Sequence, residues 1–537
     1  MRSHLISLST LLFVVDHAHA AIFPVQARTR PNGIYARADV NASTSSNGIP
    51  VQNTHNAEYI SNITLGGVSI PVMLDTGSSD LWVATNVPGA KDLGKSVTLS
   101  YAVGQAAGDI HTAQLQFDDY TVNDQAFLMV TNTSSFSTDI GSQGYNGLVG
   151  LGPNSGSVIY QKIDDSTGDA VLNRIFSQNS TSQNFISFTL SRLGDPMDNI
   201  PGTFTISQVI PGFENITSMP KLSVEKVHKL TDADQHWQIY TDKNGVIGPD
   251  GEPIEISSIV PSAPDGQLVV VLDSGFTLPQ VPRAMSDAIY GRVKGAEFDT
   301  SQQVWTVPCD QLLNLAFVFG GVTYPVHPFD VATSDFNYTD ANGNPKCIGA
   351  FQPITSAFSL LGEYDLILGM AFLRNTYTLL DFGDFVKDAS TDPGDPFVQL
   401  LPLTNNASAH TDFVQVRLNG VDTTGDAAHA LLPASQMQHS PETEGEKKKE
   451  REEEILSRWP YILVGCLAFV LLCVGLCVWR CCCRRGKGVK GKKGKGGQAA
   501  GILGNNPVYQ PLSEPAPPAM NMHPMGQSSY SDPYGRR

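Results

Sequence analysis

Val72-Met73-Leu74-Asp75-Thr76-Gly77-Ser78-Ser79-Asp80-Leu81-Trp82 returns later in the chain as Val270-Val271-Leu272-Asp273-Ser274-Gly275-Phe276-Thr277. Each copy is an apolar run ending on a carboxylate, then a hydroxyl residue, then glycine. Such a run of β-formers reads as a buried strand, and Ser/Thr-Gly after it as a tight turn. Each aspartate therefore sits at the end of a core strand, where a charge is costly unless hydrogen-bonded or shared. A second echo follows each copy: Gly147-Leu148-Val149-Gly150-Leu151-Gly152 after the first aspartate, Leu366-Ile367-Leu368-Gly369 after the second. Two such pairs in the same order imply a duplicated half.

With both turns in view, the sequence resembles the pepsin-like aspartic proteases over residues 50–405. The resemblance implies a mainly β, bilobal fold of two pseudo-symmetric, barrel-like lobes, here residues 49–207 and 208–405. It implies that Asp75 and Asp273 meet at a pseudo-two-fold axis with a hydrolytic water between them. In dyads of this kind two carboxylates about 3 Å apart cannot both ionise and share one proton. The ionised member takes a proton from water while the protonated member polarises the scissile carbonyl. No metal, cofactor or covalent intermediate is required.

The same resemblance assigns support of the dyad to Thr76, Gly77, Ser78, Ser274 and Gly275. Phe276 departs from the family, which carries Ser or Thr there as a donor to the outer carboxylate oxygen. A carboxylate that accepts fewer hydrogen bonds is easier to protonate, so Asp273 is expected to hold the shared proton more often than Asp75. Residues 99–104 match the substrate-covering flap, with Tyr101 near its tip and Gly104 after it. Val103 stands where relatives carry a polar residue. Trp82 reads as a core aromatic that, by resemblance, also bonds the flap tyrosine. The segment between Trp82 and Tyr101 is shorter than in pepsins and lacks their small disulfide loop. Cys309 and Cys347 lie where the family carries a disulfide, worth roughly 4 kcal/mol on the chain-entropy model. Residues 184–190 and 202–206 alternate and are expected in the interlobe sheet, and residues 236–239 resemble a second-lobe strand. The twelve histidines form no His-Glu-x-x-His, no Cys/His spacing suggests zinc, and there is no Gly-x-Ser-x-Gly elbow.

The chain of 537 residues has room for two or more domains, and 41% hydrophobic with 16% charged residues suits a folded protein. With 49 Gly and 34 Pro, a turn-rich β architecture is favoured. The net charge of −17 divides into +8 for residues 480–537 and −25 for the rest. A strongly acidic body argues against nucleic acid as a partner.

Outside the lobes, residues 1–20 read as a signal peptide: Arg2, an apolar run over 5–15, then Ala18-His19-Ala20. Residues 21–48 read as a short propeptide or linker. Asn-x-Ser/Thr sequons begin at Asn41, Asn62, Asn132, Asn179, Asn215, Asn337 and Asn406, with Asn62 expected to be the most hidden, in its strand. Residues 406–458 read as a polar stalk. Residues 459–479 carry no charge, enough helix at about 1.5 Å per residue to cross a ~30 Å hydrocarbon core. Trp459, Tyr461 and Trp479 mark its edges, and the eight basic residues of 480–495 place the C-terminus in the cytosol. Beside them Cys481, Cys482 and Cys483 are acylation candidates. The tail to 537 reads as disordered, with Asn506-Pro507-Val508-Tyr509 resembling a sorting signal.

The expected protein is a monomeric, glycosylated, single-pass type I membrane endopeptidase of the plasma membrane, vacuole or other endomembrane, acting on peptides or proteins in acid. By analogy it leans to a fungal enzyme. The competing expectation, motivated by Phe276, Val103 and the short first lobe, is a catalytically silent surface protein that binds peptides or cell-wall partners in the same cleft.

Overall fold

A computed structural model describes residues 49–442 apart from positions 55, 102–103, 133–139, 164, 179–182, 197–199, 228–234, 341–342, 355–363 and 387–393. It also describes residue 447 and residues 465–474. The signal peptide, the 21–48 segment, Asn41, Asn179, Val103, the Cys481–Cys483 cluster and the tail lie outside the described residues. The chain divides into two units, residues 1–458 and 459–537.

The first unit is built from sheets, as alternating β-branched and apolar runs predict. Its first half forms an eight-stranded sheet that runs from Gln52–Thr54 to Lys91–Tyr101. The sheet closes on itself where Thr64 and Leu65 pair with Gln116 and Leu115. The second half holds a five-stranded sheet around Val269–Leu272 and Leu366–Leu368, with smaller sheets beside it. A six-stranded antiparallel sheet joins the halves. It takes Ile49–Pro50, Phe185–Thr189 and Thr203–Ile206 from one half, and Leu222–Ser223, Thr376–Asp381 and Phe397–Pro402 from the other. Its two central strands, Phe185–Thr189 and Thr376–Asp381, belong to different halves and pair directly, with Ile186 opposite Leu380 and Ser187 opposite Leu379. One continuous core, including Leu74, Trp237, Leu272 and Leu368, runs through both halves. The two ends of the repeat are thereby held as one body.

The duplication has a common local form. Val68–Asp75 pairs in parallel with Gly147–Gly150, setting Asp75 opposite Gly150. Val269–Leu272 pairs in parallel with Leu366–Leu368, leaving Asp273 one residue beyond the ladder. Cys309 and Cys347 form the disulfide that the resemblance implied.

Two expectations are corrected. Residues from 406 onward do not begin as a free stalk. Asn406–Arg417 is a helix capped by Asn405, and it buries Ala409, Asp412 and Phe413. The chain beyond it runs as a strap on the second half: Leu432 N–H donates to Arg292 O, Gln438 N–H to Gly291 O, and the buried Ser440 hydroxyl to Asp287. Asn62 is exposed rather than hidden, because it occupies the solvent side of an alternating strand. Asn215, Asn337 and Asn406 are exposed as well.

In the second unit the described residues 465–474 are helical. Among the described residues no helix is long and apolar enough to cross a membrane. The uncharged run of 459–479 extends beyond them on both sides.

Candidate active site

The two aspartates arrive by the same route. In each half a backbone loop must pass over the glycine that ends the partner strand. A Cβ on Gly150 would stand 2.5 Å from the Asp80 nitrogen, and one on Gly369 would stand 2.2 Å from the Phe276 carbonyl oxygen. The backbone of each turn is then pinned to that partner strand: Leu151 N–H donates to Asp75 O at 2.7 Å, and Asp273 N–H to Leu368 O at 3.1 Å.

Beneath the carboxylates the paired hydroxyls exchange bonds across the two halves. Thr76 Oγ1 donates to Leu272 O at 2.9 Å and accepts from Ser274 N–H at 2.9 Å. Ser274 Oγ donates to Leu74 O at 2.8 Å and accepts from Thr76 N–H at 3.0 Å. Four bonds, with each hydroxyl both donating and accepting, fix the separation of the turns better than apolar contact can, because buried donors left unpaired are costly.

Asp75 and Asp273 are 5% and 7% exposed, and each carboxyl lies against the glycine of the other's turn. Glycine makes that approach possible. A Cβ on Gly77 would lie 2.1 Å from Asp273 Oδ2, and one on Gly275 would lie 2.4 Å from Asp75 Oδ1. The two environments differ. Asp75 accepts from Gly77 N–H at 2.8 Å and from the Ser78 hydroxyl at 2.5 Å. Asp273 accepts from Gly275 N–H at 2.7 Å, and Phe276 offers it no hydroxyl. Burial, followed by the charge of Asp75, holds the Asp273 carboxyl well above the usual carboxylate range.

The flap residues fall on the hairpin of Lys91–Tyr101 and Gly104–Phe117, with Tyr101 opposite Gly104 at its described end. The Tyr101 ring centroid lies 6.5 Å from that of the buried Trp82. Burial raises the Tyr101 hydroxyl well above its ordinary value, with the charges of Asp75 and Asp80 adding to the rise.

Several site residues escape sequence reasoning. Thr277 Oγ1 donates to Ala57 O at 2.7 Å, a further tie between the halves. His236 Nδ1 lies 3.0 Å from Gly77 O, and a carbonyl only accepts, so this nitrogen carries the proton. Asp80 accepts from the Ser157 hydroxyl and from Val158 and Ile159 N–H, anchoring the stretch after Gly152 to the first turn. Asp80 and Thr277 lie inside the two motifs and His236 opens the 236–239 stretch, but nothing in the sequence signals the partner of any of the three.

The eukaryotic aspartyl protease family matches residues 58–386 of this chain, across both turns. The chain belongs to that family. Major aspartyl peptidase 1 of Cryptococcus neoformans var. grubii is 24% identical over 381 residues, covering 63% of this chain and 71% of that one. Vacuolar protease A of Neurospora crassa is 23% identical over 391 residues, covering 69% and 87%. Aspergillopepsin-1 of Aspergillus oryzae is 24% identical over 373 residues, covering 66% and 82%. Among solved structures, the aspartic proteinase from Irpex lacteus superposes with a TM-score of 0.50 at 17% identity, covering 67% of this chain and 99% of that one. The protease is thus an aspartic endopeptidase acting on peptide or protein substrates. The silent-binder reading loses its ground.

Proposed function

We propose that Asp75 and Asp273 carry the hydrolysis, with one proton shared between them and resident mainly on Asp273. The observation that carries this reading is the meeting of two buried carboxyl groups, each against the glycine of the other's turn, with different donors to each. A water between them attacks the scissile carbonyl carbon, passing one proton to ionised Asp75 while Asp273 gives its proton to the carbonyl oxygen. In the tetrahedral diol the C–N bond then breaks. Asp75 returns its proton to the leaving nitrogen, and Asp273 recovers one from a diol hydroxyl, leaving an acid, an amine and the starting dyad. Thr76, Ser274, Gly77, Gly275 and Ser78 set the approach and charge of the pair. Tyr101 and Gly104, backed by Trp82, close over a substrate held extended in the cleft and limit water around it.

The pair works with one member protonated, so activity belongs to acidic pH. The uncharged run of 459–479 supports a single type I membrane span, with the protease on the luminal or extracellular side and residues 480–537 in the cytosol. Sequons confined to the N-terminal side of that run support glycosylation, and Asn62, Asn215, Asn337 and Asn406 are open to it. Placement at the plasma membrane or in the vacuole rests on analogy with fungal relatives.

The test is digestion of a denatured protein by the purified protease from pH 3 to 7, with and without a statine-type transition-state inhibitor. Inhibitable cleavage confined to the acid range is expected. Cleavage that resists the inhibitor, or that survives in Asp75→Asn, contradicts the proposal.

A further inference from the structure

We propose that Asp195, His327 and Asp412 form a divalent-cation site of the zinc class, separate from the dyad, that fastens the C-terminal helix to the body of the protease. The three donors come from segments far apart in sequence. Asp195 follows the interlobe strand Phe185–Thr189, His327 precedes the short helix Pro328–Val331, and Asp412 projects from Asn406–Arg417. Spacing rules look for ligands close in sequence, which is why no metal site was expected from the sequence.

His327 Nε2 lies 3.6 Å from Asp195 Oδ2 and 3.7 Å from Asp412 Oδ2, and all three atoms fall within 4.8 Å of one another. Those gaps are too long for direct hydrogen bonds. They are close to the separation of about 3.4 Å between ligand atoms around a tetrahedral ion with bonds near 2.1 Å. The histidine is 3% exposed, and its Nε2 has no hydrogen-bond partner. A buried polar atom in that state calls for a partner. The three residues line one cavity of about 240 Å3, together with Arg192, Arg374, Thr404 and Ser408. An ion and its completing waters fit there.

Arg192 and Arg374 both pair with Asp330, at 2.7 and 2.6 Å. Arg192 also reaches Asp195 Oδ2 at 3.0 Å. That oxygen is the one facing His327, so an ion there would share it with the guanidinium. Asp412 makes no ion pair with lysine or arginine within 4 Å among the described residues, although Arg192 acts on it across the same cavity. One observation weighs against tight binding: Nδ1 accepts from Phe329 N–H at 3.2 Å, so the free ring carries its proton on Nε2. Metal entry must move that proton to Nδ1, where it meets the Phe329 N–H, so the ring has to shift as the site fills.

The experiment uses purified full-length protease, stripped with chelator and titrated at pH 7.5 with Zn2+ by calorimetry and with Co2+ by visible absorption. One equivalent is expected to bind, with a four-coordinate Co2+ spectrum and a higher melting temperature. Asp412→Asn and His327→Gln should each weaken binding at least tenfold. Circular dichroism confirms that each variant is folded. Asp412→Asn, on the outer helix, serves where His327→Gln is not. The absence of saturable binding overturns the proposal, and so does binding that a folded Asp412→Asn variant retains at parental affinity.

Discussion

At the scale of single residues, the asymmetry between Asp75 and Asp273 has measurable consequences. Either aspartate changed to asparagine keeps the shape but removes a group that must take up or give a proton, and a loss in kcat of roughly 10^3-fold or more is expected in peptide cleavage. Phe276→Ser tests the asymmetry itself. A hydroxyl donating to Asp273 stabilises its ionised form, so the carboxyl should deprotonate at lower pH. Activity needs that proton and disappears as pH rises through the folded value. The upper limb of the pH profile of kcat/KM should therefore move toward acid in Phe276→Ser, and an unmoved limb would separate Phe276 from the proton. Much at this scale was legible in the sequence because the motif is contiguous: aspartate, hydroxyl and glycine each have one role fixed by chemistry. His236 on Gly77 O and Thr277 on Ala57 O were not legible, since those contacts exist only once distant strands are placed.

At the scale of elements, the repeated strand–turn–glycine unit dictates where a side chain cannot fit. Gly369→Ala drives a methyl into the Phe276 carbonyl, and Gly150→Ala drives one into the backbone at Ser79 and Asp80. Each should cost roughly 1–3 kcal/mol in denaturant unfolding, since backbone cannot swing aside as a flexible side chain can. Wild-type midpoints in both variants would show that the turns are looser than described. Breaking the Cys309–Cys347 link by Cys309→Ser should cost about 2–5 kcal/mol. The parallel pairing behind these effects was readable as two apolar runs with trailing glycines. The depth of the glycine requirement was not, because it depends on which backbone passes overhead.

For the whole molecule, pH acts through groups whose burial shifts them in opposite directions. Burial pushes the Glu58 carboxyl up to about 7 from 4.5. A raised carboxyl favours the folded state at low pH, and that contribution fades between about pH 4.5 and 7 as the unfolded chain ionises first. After allowance for its remaining exposure it amounts to roughly 1–2 kcal/mol. Glu58→Gln should flatten the stability profile over that window, and an unchanged slope would refute the assignment. His327 runs the other way. Burial, then Arg192, lowers it to about 4, so its contribution is present above about pH 6.5 and is lost as pH falls through 4. Composition misled at this scale only beyond residue 405. The helix Asn406–Arg417 and the strap after it hold on through backbone bonds and a few side chains such as Ser440 and Asp412. An Ala/Thr/Ser-rich sequence does not announce such contacts.

Neutron diffraction from crystals of the protease near pH 5 reads the dyad directly. The account predicts one hydrogen between the two carboxyl groups, with most of its density on Asp273 and a bare Asp75 held by Gly77 and Ser78. Density mainly on Asp75, or none between the pair, would contradict it.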